Sequence, residues 1–377
     1  MQRDRATTPP TRDGALIVRT FGVEEEYLLV DASTFVPSPV APLLLRSARA
    51  SAAVTLAAEL KVEQIEAVGA PATTHDELLA GLVDGRRLAD DSAGAAGARA
   101  VAVGTSPAAF VPHLSADERY TRIAERFGLV AREQFTCGLH VHVGVTSPEE
   151  GIAVLDRLRG WLPALLALSA NSPFCAGADT GFQSWRYQSW GRWPTAGPAE
   201  VWGDVDRYRS VVAALTSCGV LLDEGMLYFD ARLSRAHPTV EVRIADVPLH
   251  AEDAALIAVL TRALAETAVR DQSVGVAPAP LPTPVIAASS WLASRHGTTG
   301  DLVDPLDGRP APARAVLARL LDHAGDALEE AGDRDVAVLG IERVLSRGTG
   351  AERQRAVWER TGEVAAVLAD AAQATRA

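Results

Sequence analysis

The stretch "GVEEEYLLVD", residues 22–31, places three consecutive glutamates in a segment that otherwise has the composition of a β-strand. Side chains alternate between the two faces of a strand, so Glu24 and Glu26 share one face while Glu25 points the other way with Val23. Two carboxylates about 7 Å apart on one face repel each other unless water or a cation lies between them. The stretch therefore predicts either a solvated strand face or a cation site.

Two further segments have the same design, with one apolar face and one face of ionisable groups. In "LHVHVGV", His140 and His142 share a face and the valines share the other. In "TVEVRIADV", Glu241 and Arg243 share a face opposite valines and isoleucine. Carboxylates and imidazoles are ligands for divalent cations, whereas ordinary surface strands carry more Thr, Lys and Ser.

A fourth segment, "AELKVEQIEAVGAP", adds Glu59, Glu63 and Glu66. Bringing four or more carboxylates together without cations costs several kcal/mol, at roughly 4 kcal/mol per close pair for an effective dielectric constant of 20. A single arginine does not neutralise such a set. The four segments together favour a cation site over a wet surface, with Glu63 interpreted as solvated or ion-paired.

Helices and strands can be placed from periodicity and capping residues. The pattern predicts a strand over residues 17–31, an extended segment over 54–69 broken near 59–63, and a helix from about Thr74. Further along it predicts a helix capped by Ser115, one helix from Pro148 to Ala170, a long loop over 171–198, a helix over about 198–216, and strands over 220–222, 228–233 and around Glu241.

Strands that mostly lack intervening helices, followed by a helical C-terminal third, favour an α+β fold with an antiparallel sheet. No internal repeat is visible. We expect residues 1–14 to be a disordered N-terminal tail and residues 15–377 to form a single catalytic domain with a helical C-terminal third.

Composition excludes several classes of function. The chain of 377 residues has a net charge of −12 and no basic tract, which argues against nucleic-acid binding. No apolar run reaches the length of a membrane span, and three cysteines without paired spacing fit a reducing, cytoplasmic setting. Lys61 is the single lysine and lies outside any P-loop pattern, so we expect arginine to bind any anion.

The order of motifs resembles one known family. "GVEEEYLLVD", "ELKVEQIEAVGAP", "CGLHVHVGV", "ANSPF", "GADTGFQSWR" and "TVEVRIADVPLH" together are similar to carboxylate–amine ligases of the glutamate–cysteine ligase type 2 family. That family lies within the glutamine synthetase/glutamate–cysteine ligase superfamily, and the resemblance spans nearly the whole chain. It implies a curved antiparallel sheet, flanked by helices, whose concave face holds ATP, divalent metals and the substrate carboxylate.

The resemblance also implies roles for individual residues. Metal ligands for Mg²⁺, with Mn²⁺ as an alternative, are expected at Glu24, Glu26, Glu59, Glu66, His140 and Glu241. One partition places Glu24, Glu59 and Glu241 on one ion and Glu26, Glu66 and His140 on the other. Catalytic roles fall to Arg243 and Glu241, and contacts to substrate or ATP to Arg186, Arg232, His142 and Asn171, with a turn role as the alternative for Asn171.

The implied reaction is ATP-dependent amide formation. ATP phosphorylates a carboxylate to an acyl phosphate, and an amine then displaces phosphate. The expected substrates are glutamate or a similar carboxylate and an amine such as L-cysteine, in a protein that could form a homodimer. The alternatives are a phosphotransferase on the same scaffold and a non-catalytic nucleotide-binding homologue.

Overall fold

A computed structural model describes residues 18–47 and 54–377, and an antiparallel β-sheet forms its centre. The sheet order is β2-β3-β1-β5-β9-β8, with β4 on the second half of β1; β6 pairs with β7 and β10 with β11 in two small hairpins. The predicted α+β class with an antiparallel sheet is confirmed. The strands are β1 (Phe21–Asp31), β2 (Val54–Ala58), β3 (Gln64–Gly69), β4 (Ala98–Val101), β5 (Gly138–Gly144), β6 (Phe174–Cys175), β7 (Ala178–Asp179), β8 (Ala231–Leu233), β9 (Thr239–Asp246), β10 (Asp301–Val303) and β11 (Pro310–Pro312).

Helices flank the sheet and dominate the C-terminal third, as predicted. No described helix is both long and apolar enough to cross a membrane. The helices are α1 (Ala41–Ser47), α2 (His75–Gly94), α3 (Glu118–Phe127), α4 (Leu129–Glu133), α5 (Pro148–Leu158), α6 (Leu162–Ser169), α7 (Trp185–Trp190), α8 (Val205–Ser217), α9 (Ala251–Ser273), α10 (Thr283–His296), α11 (Ala313–His323), α12 (Gly325–Ala331), α13 (Arg334–Arg347), α14 (Gly350–Thr361) and α15 (Val364–Arg376).

The apolar face of the sheet packs on helices. Val141 of β5 and Val242 of β9 are fully buried in the main hydrophobic core, which also contains Leu256 and Leu260 of α9. The polar residues between these valines must therefore lie on the opposite face, because side chains alternate along each strand. Packing thus fixes the direction in which the candidate ligands point.

Glu25 points away from Glu24 and Glu26, as predicted, into a buried ion pair. Arg86 of α2 donates its Nε–H to Glu25 Oε2 at 3.0 Å, and the Tyr27 hydroxyl donates to the same oxygen at 2.6 Å. Arg86 also donates to the backbone carbonyls of Pro248 and Leu249. The middle glutamate of the triplet therefore joins β1 to α2 and to the start of α9.

Some element boundaries differ from the predictions. Asp117, not Ser115, caps α3, because the Asp117 side chain accepts from the Arg119 N–H. Residues 220–222 form no strand, since the carbonyls of this segment accept hydrogen bonds from the Arg126 guanidinium instead of from a neighbouring strand. The loop over 171–198 contains β6, β7 and α7.

The predicted helix from Pro148 to Ala170 is two helices, α5 and α6, separated by a short turn. Gly160 lies in that turn, where a Cβ atom would stand 2.9 Å from Pro305 Cβ. Pro163, in the first turn of α6, has no backbone N–H, so it cannot donate the hydrogen bond that one continuous helix would need at this position. The predicted tail over 1–14 and the predicted start of β1 at Ile17 lie outside the described residues.

Lys61 is fully buried in the turn between β2 and β3, close to the candidate ligand Glu59. Its Nζ donates to the backbone carbonyl of Arg132 at 2.9 Å. Glu63 in the same turn is buried and pairs with the His113 ring, with 2.6 Å between Oε1 and Nδ1. Glu63, predicted to be solvated or ion-paired, is not solvated but is hydrogen-bonded to His113, and these contacts anchor the turn that carries Glu59.

Candidate active site

Strand register brings the candidate ligands together on the polar face of the sheet. Glu26 of β1 lies opposite Glu66 of β3, and Glu24 lies opposite His140 of β5. His142 lies opposite Glu241 of β9. Directly opposed residues on one face have Cβ atoms about 5 Å apart, so adjacent strands place these side chains in contact range.

Three groups of side chains have ligand atoms close enough to hold a metal ion. Within each group, one nitrogen or oxygen atom per residue lies within 4.8 Å of the others. Glu24 and Glu66 each belong to two groups, so the clusters are continuous. This grouping differs from the partition implied by the family resemblance, and it adds His142 to the candidate ligands. The groups are Glu24–Glu66–His140, Glu24–His142–Glu241 and Glu26–Glu59–Glu66.

Crowding of carboxylates perturbs the protonation of this site. Burial, followed by the negative charge of Glu26, raises the pKa of Glu59 to about 8. Burial and the charge of Glu59 also raise the pKa of Glu66 well above its usual value. The cluster therefore holds protons near neutral pH in the absence of a cation, and a cation would release them.

In the same cluster, Glu24 is held in its charged form and His140 in its neutral form. Burial opposes ionisation of Glu24, but its hydrogen bond with His140, at 3.1 Å between Oε2 and Nδ1, keeps its pKa well below normal. Burial and then the positive charge of Arg243 lower the pKa of His140. A neutral imidazole retains the lone pair that a metal ligand requires.

Two arginines bracket Glu241. Arg232 of β8 donates its Nε–H to Glu241 Oε2 at 2.9 Å and a second hydrogen bond to Oε1 at 3.1 Å, and Arg243 donates to Oε1 as well. Burial opposes ionisation of Glu241, but the charges of Arg243 and Arg232 hold its pKa far below normal. Glu241 thus fixes two guanidinium groups beside the carboxylate clusters.

Trp190 of α7 covers the guanidinium group of Arg243. The guanidinium carbon of Arg243 lies 5.9 Å from the centre of the Trp190 ring, within cation–π range. The Trp190 indole N–H donates to the Tyr228 carbonyl at 3.4 Å, which orients the ring. Arg243 is therefore held between an aromatic face and a carboxylate.

Two cavities share lining residues at this site. The first, about 420 Å³, is lined by the clustered carboxylates and histidines together with Arg119, Arg232 and Arg243. The second, about 820 Å³, is lined mainly by apolar residues at the ends of β1 and β5. Glu24 and His142 line both cavities, as does His237 in the turn between β8 and β9. We call these the polar cavity and the apolar cavity.

Two predicted contact residues, Arg186 and Asn171, line neither cavity. Arg186 is 1% exposed and donates to the backbone carbonyls of Arg243 and Ile244. A Cβ atom at Gly138 would collide with its guanidinium, so Gly138 makes room for it. Asn171 is fully buried and donates to the backbone carbonyls of residues 102 and 247. Both contribute structural hydrogen bonds beneath the site.

Sequence reasoning missed several residues that line the polar cavity. Gln134 and Thr136 precede β5, Arg119 lies on α3, and Arg235 and His237 lie in the turn between β8 and β9. They belong to helices and turns, where no alternation indicates which way a side chain points. Near Arg119, the one sequence feature that marks local structure is Asp117, the N-cap of α3.

Comparisons with known proteins identify the family of this chain. The sequence matches the family model described as "Glutamate-cysteine ligase family 2(GCS2)" over residues 20–370. The chain belongs to glutamate–cysteine ligase family 2. A relative from this family, named "Putative glutamate--cysteine ligase 2-1" in Paenarthrobacter aurescens (strain TC1), is 50% identical over 369 residues, 96% of each chain. A protein of the same printed name from Streptomyces avermitilis is 44% identical over 363 residues, 95% of this chain and 100% of the relative.

Solved structures share the fold of this family member at low sequence identity. The glutamate–cysteine ligase of Francisella tularensis in complex with AMP has a TM-score of 0.68 at 13% identity, covering 96% of this chain and 90% of that chain. A bifunctional glutathione synthetase from Pasteurella multocida has a TM-score of 0.67 at 15% identity, covering 95% of this chain and 52% of that chain. These likenesses establish the fold alone.

The residues present fit a divalent cation. The donors are carboxylate oxygens and imidazole nitrogens, a set that suits Mg²⁺ and Mn²⁺. Among residues 18–47 and 54–377, His142 Nε2 is buried and has no hydrogen-bond partner. It lies 3.5 Å from Glu24 Oε1, and both residues belong to one of the three groups. An unpaired ring nitrogen beside carboxylates is the arrangement expected where a cation binds.

Proposed function

We propose that the protein is an ATP-dependent carboxylate–amine ligase that joins the γ-carboxylate of glutamate to an amine, with L-cysteine as the default amine. The observation that supports it most is the convergence of three carboxylate and histidine groups with two arginines on one cavity. Membership of the glutamate–cysteine ligase family supports the same chemistry.

The two cavities suit two different substrates. ATP combines an apolar base with a polyanionic tail, and the apolar cavity offers apolar walls such as Phe21 and Pro71 that lead to Glu24 and His142. Its volume of about 820 Å³ is that of a typical small-molecule site. We propose that the nucleoside occupies the apolar cavity and that glutamate occupies the polar cavity, so that the γ-phosphate and the γ-carboxylate meet at the shared residues.

Metal-binding roles follow from the clusters. Glu24, His142 and Glu241 would hold a cation nearer the apolar cavity, and Glu26 with Glu66 would hold one deeper in the polar cavity. Bound Mg²⁺ supplies neutralisation of phosphate charge. The proposed ligand set is Glu24, Glu26, Glu59, Glu66, His140 and Glu241, with His142 added from the geometry.

Arg243 and Arg232 supply fixed positive charge where the phosphoryl group is transferred. Their guanidinium groups are already oriented by Glu241, so little reorganisation is needed when charge develops. The proposed intermediate is the acyl phosphate of glutamate, and phosphate leaves when the amine attacks the carbonyl carbon.

Steady-state assays test the proposal. Purified protein with ATP, Mg²⁺, L-glutamate and an amine should release ADP and free phosphate in equal amounts, and only when the correct amine is present. A phosphotransferase would consume ATP without free phosphate. Glu241→Gln should abolish turnover, whereas Glu125→Gln, an exposed glutamate on α3, should leave it unchanged. Absence of turnover over a broad amine panel including L-cysteine would refute the proposal.

A further inference from the structure

Besides the candidate ligand atom His142 Nε2 and the Nε of Arg243, two buried polar atoms of residues that line the polar cavity have no hydrogen-bond partner among the described residues. Within the part of the chain that the structure describes, Gln134 Oε1 lacks a donor and Trp193 Nε1–H lacks an acceptor. Both residues line the polar cavity and both are only 3% exposed. A buried polar atom left unpaired costs about 1–3 kcal/mol, so such atoms at a cavity wall point to a ligand that pairs with them.

The Gln134 amide is held firmly. Its Nε2 donates to Thr136 Oγ1 at 2.7 Å, and its backbone N–H donates to the Val130 carbonyl at 3.0 Å, closing α4. With Nε2 committed to Thr136, the acceptor Oε1 is the free end of the amide. An acceptor of this kind pairs with an N–H or O–H group of a ligand.

The Trp193 ring is held equally firmly by aromatic neighbours. Its centre lies 5.2 Å from that of Phe127 and 5.3 Å from that of Tyr228, both within the range of aromatic pairs. Indole nitrogen is a donor only. A fixed N–H donor without an acceptor pairs with a carboxylate or carbonyl oxygen of a ligand.

The charges around the two atoms have opposite sign. Glu26 Oε2 accepts from the backbone N–H of Gly138, four residues after Gln134, at 2.6 Å, and Gln64, which donates to the Thr136 carbonyl, lies two residues before Glu66 on β3. The surroundings of Gln134 are thus acidic.

Trp193 lies against Tyr228, which experiences the positive charges of Arg119, Arg243 and Arg232. The donor therefore stands on the basic side of the cavity and the acceptor on the acidic side. A ligand with an ammonium group and a carboxylate group on one carbon matches both signs.

We propose that Gln134 and Trp193 recognise the α-amino acid substrate: Gln134 Oε1 accepts a hydrogen bond from the α-ammonium group, and Trp193 Nε1 donates one to the α-carboxylate. This inference rests on the proposed function, since it assigns the residues that select glutamate within the polar cavity. It makes both of them specificity-determining residues, and it leaves the γ-carboxylate of glutamate to approach the cations that the carboxylate cluster would hold.

Paired ligands test each contact separately. Glutarate lacks the α-amino group of glutamate, and γ-aminobutyrate lacks its α-carboxylate. By titration calorimetry in the presence of Mg²⁺ and a non-hydrolysable ATP analogue, the wild-type protein should bind L-glutamate at least about tenfold more tightly than either analogue, as expected for a lost hydrogen bond to a charged group.

The variants should remove these preferences in a crossed pattern. Gln134→Met should reduce the preference over glutarate to less than about threefold and leave the preference over γ-aminobutyrate intact. Trp193→Phe should do the reverse. Gln134→Glu, which keeps an acceptor in the same shape, should retain the preference over glutarate, and it keeps the test decisive should Gln134→Met fail to fold.

Gln354→Met is the matched control, because Gln354 is a buried glutamine whose Oε1 also lacks a partner among the described residues but which lines neither cavity. It should change neither preference. If the variants at Gln134 and Trp193 keep both preferences while L-glutamate still binds, the inference is wrong and the proposed function stands. If L-glutamate does not bind to the wild-type protein at all, both are wrong.

Discussion

Asp230 should make the protein less stable as the pH rises from about 4 to about 7. The side chain is 2% exposed and its Oδ2 accepts one hydrogen bond from the Tyr187 hydroxyl at 3.2 Å. Burial raises the pKa of Asp230 to about 7, against the smaller opposing effects of Tyr187 and Arg186. The carboxyl group is therefore protonated in the folded protein over a range where it is ionised in the unfolded chain, whose pKa is about 3.9.

The sign and size of the effect follow from this difference. Because the folded state binds the proton more tightly, the stabilisation is fully present below pH ~4 and is lost as the pH rises to about 7. A difference of about three pKa units corresponds to about 4 kcal/mol of unfolding free energy. Asp230→Asn keeps the shape and the acceptor for Tyr187 but does not titrate.

The assay is urea unfolding at several pH values, followed by tryptophan fluorescence. The free energy of unfolding of Asp230→Asn minus that of the wild-type protein should increase by about 4 kcal/mol between pH ~4 and ~8. Asp206→Asn, at a side chain that is 91% exposed on α8, should give a difference that hardly changes with pH. A difference for Asp230→Asn that is equally flat would refute the argument.

Three further outcomes are expected. Glu25→Gln leaves Arg86 buried without its counterion, and it should lower the free energy of unfolding by about 3–5 kcal/mol in urea titrations; a loss below about 1 kcal/mol would contradict a buried ion pair. Trp190→Leu removes the aromatic face over Arg243 and should lower kcat by about threefold to thirtyfold, with a smaller effect for Trp190→Phe. A change in KM alone would speak against a positioning role for Trp190. Glu26→Gln should weaken Mn²⁺ binding by at least about tenfold in paramagnetic resonance titrations, and unchanged affinity would remove it from the ligand set.

The candidate metal-binding face could be predicted because strand alternation is a local property. Glu24 and Glu26 share a face whatever the remainder of the chain does, and the same holds for His140 and His142. The order of the strands in the sheet then brought these faces together. That order was not predicted, because the family resemblance implied only that these residues share the concave face of an antiparallel sheet. Strand alternation therefore predicted which side chains share a face, and the family resemblance implied the candidate ligand set. Neither predicted the three groups that the side chains form.

Other features depend on contacts between distant parts of the chain, which no local pattern encodes. Arg186 was predicted to bind substrate because arginine suits a carboxylate ligand. Its guanidinium instead lies beneath the sheet, in space that a Cβ atom at Gly138 would occupy. The end of α5 depends on a close approach of Pro305 to Gly160. Gln134 and Trp193 lie outside regular alternation, and only the three-dimensional surroundings reveal that each has an unpaired atom.

The burial of Lys61 has a chemical consequence for the proposed activation of a carboxylate. Acyl phosphates react with any accessible primary amine, and lysine side chains are the usual accidental targets within a protein. This chain carries one ε-amino group, fully enclosed and tethered to the Arg132 carbonyl, while arginine supplies every other side-chain cation apart from histidine. Guanidinium groups do not act as nucleophiles at neutral pH, so a mixed anhydride formed in the polar cavity would meet the incoming substrate before it met the protein's own side chains.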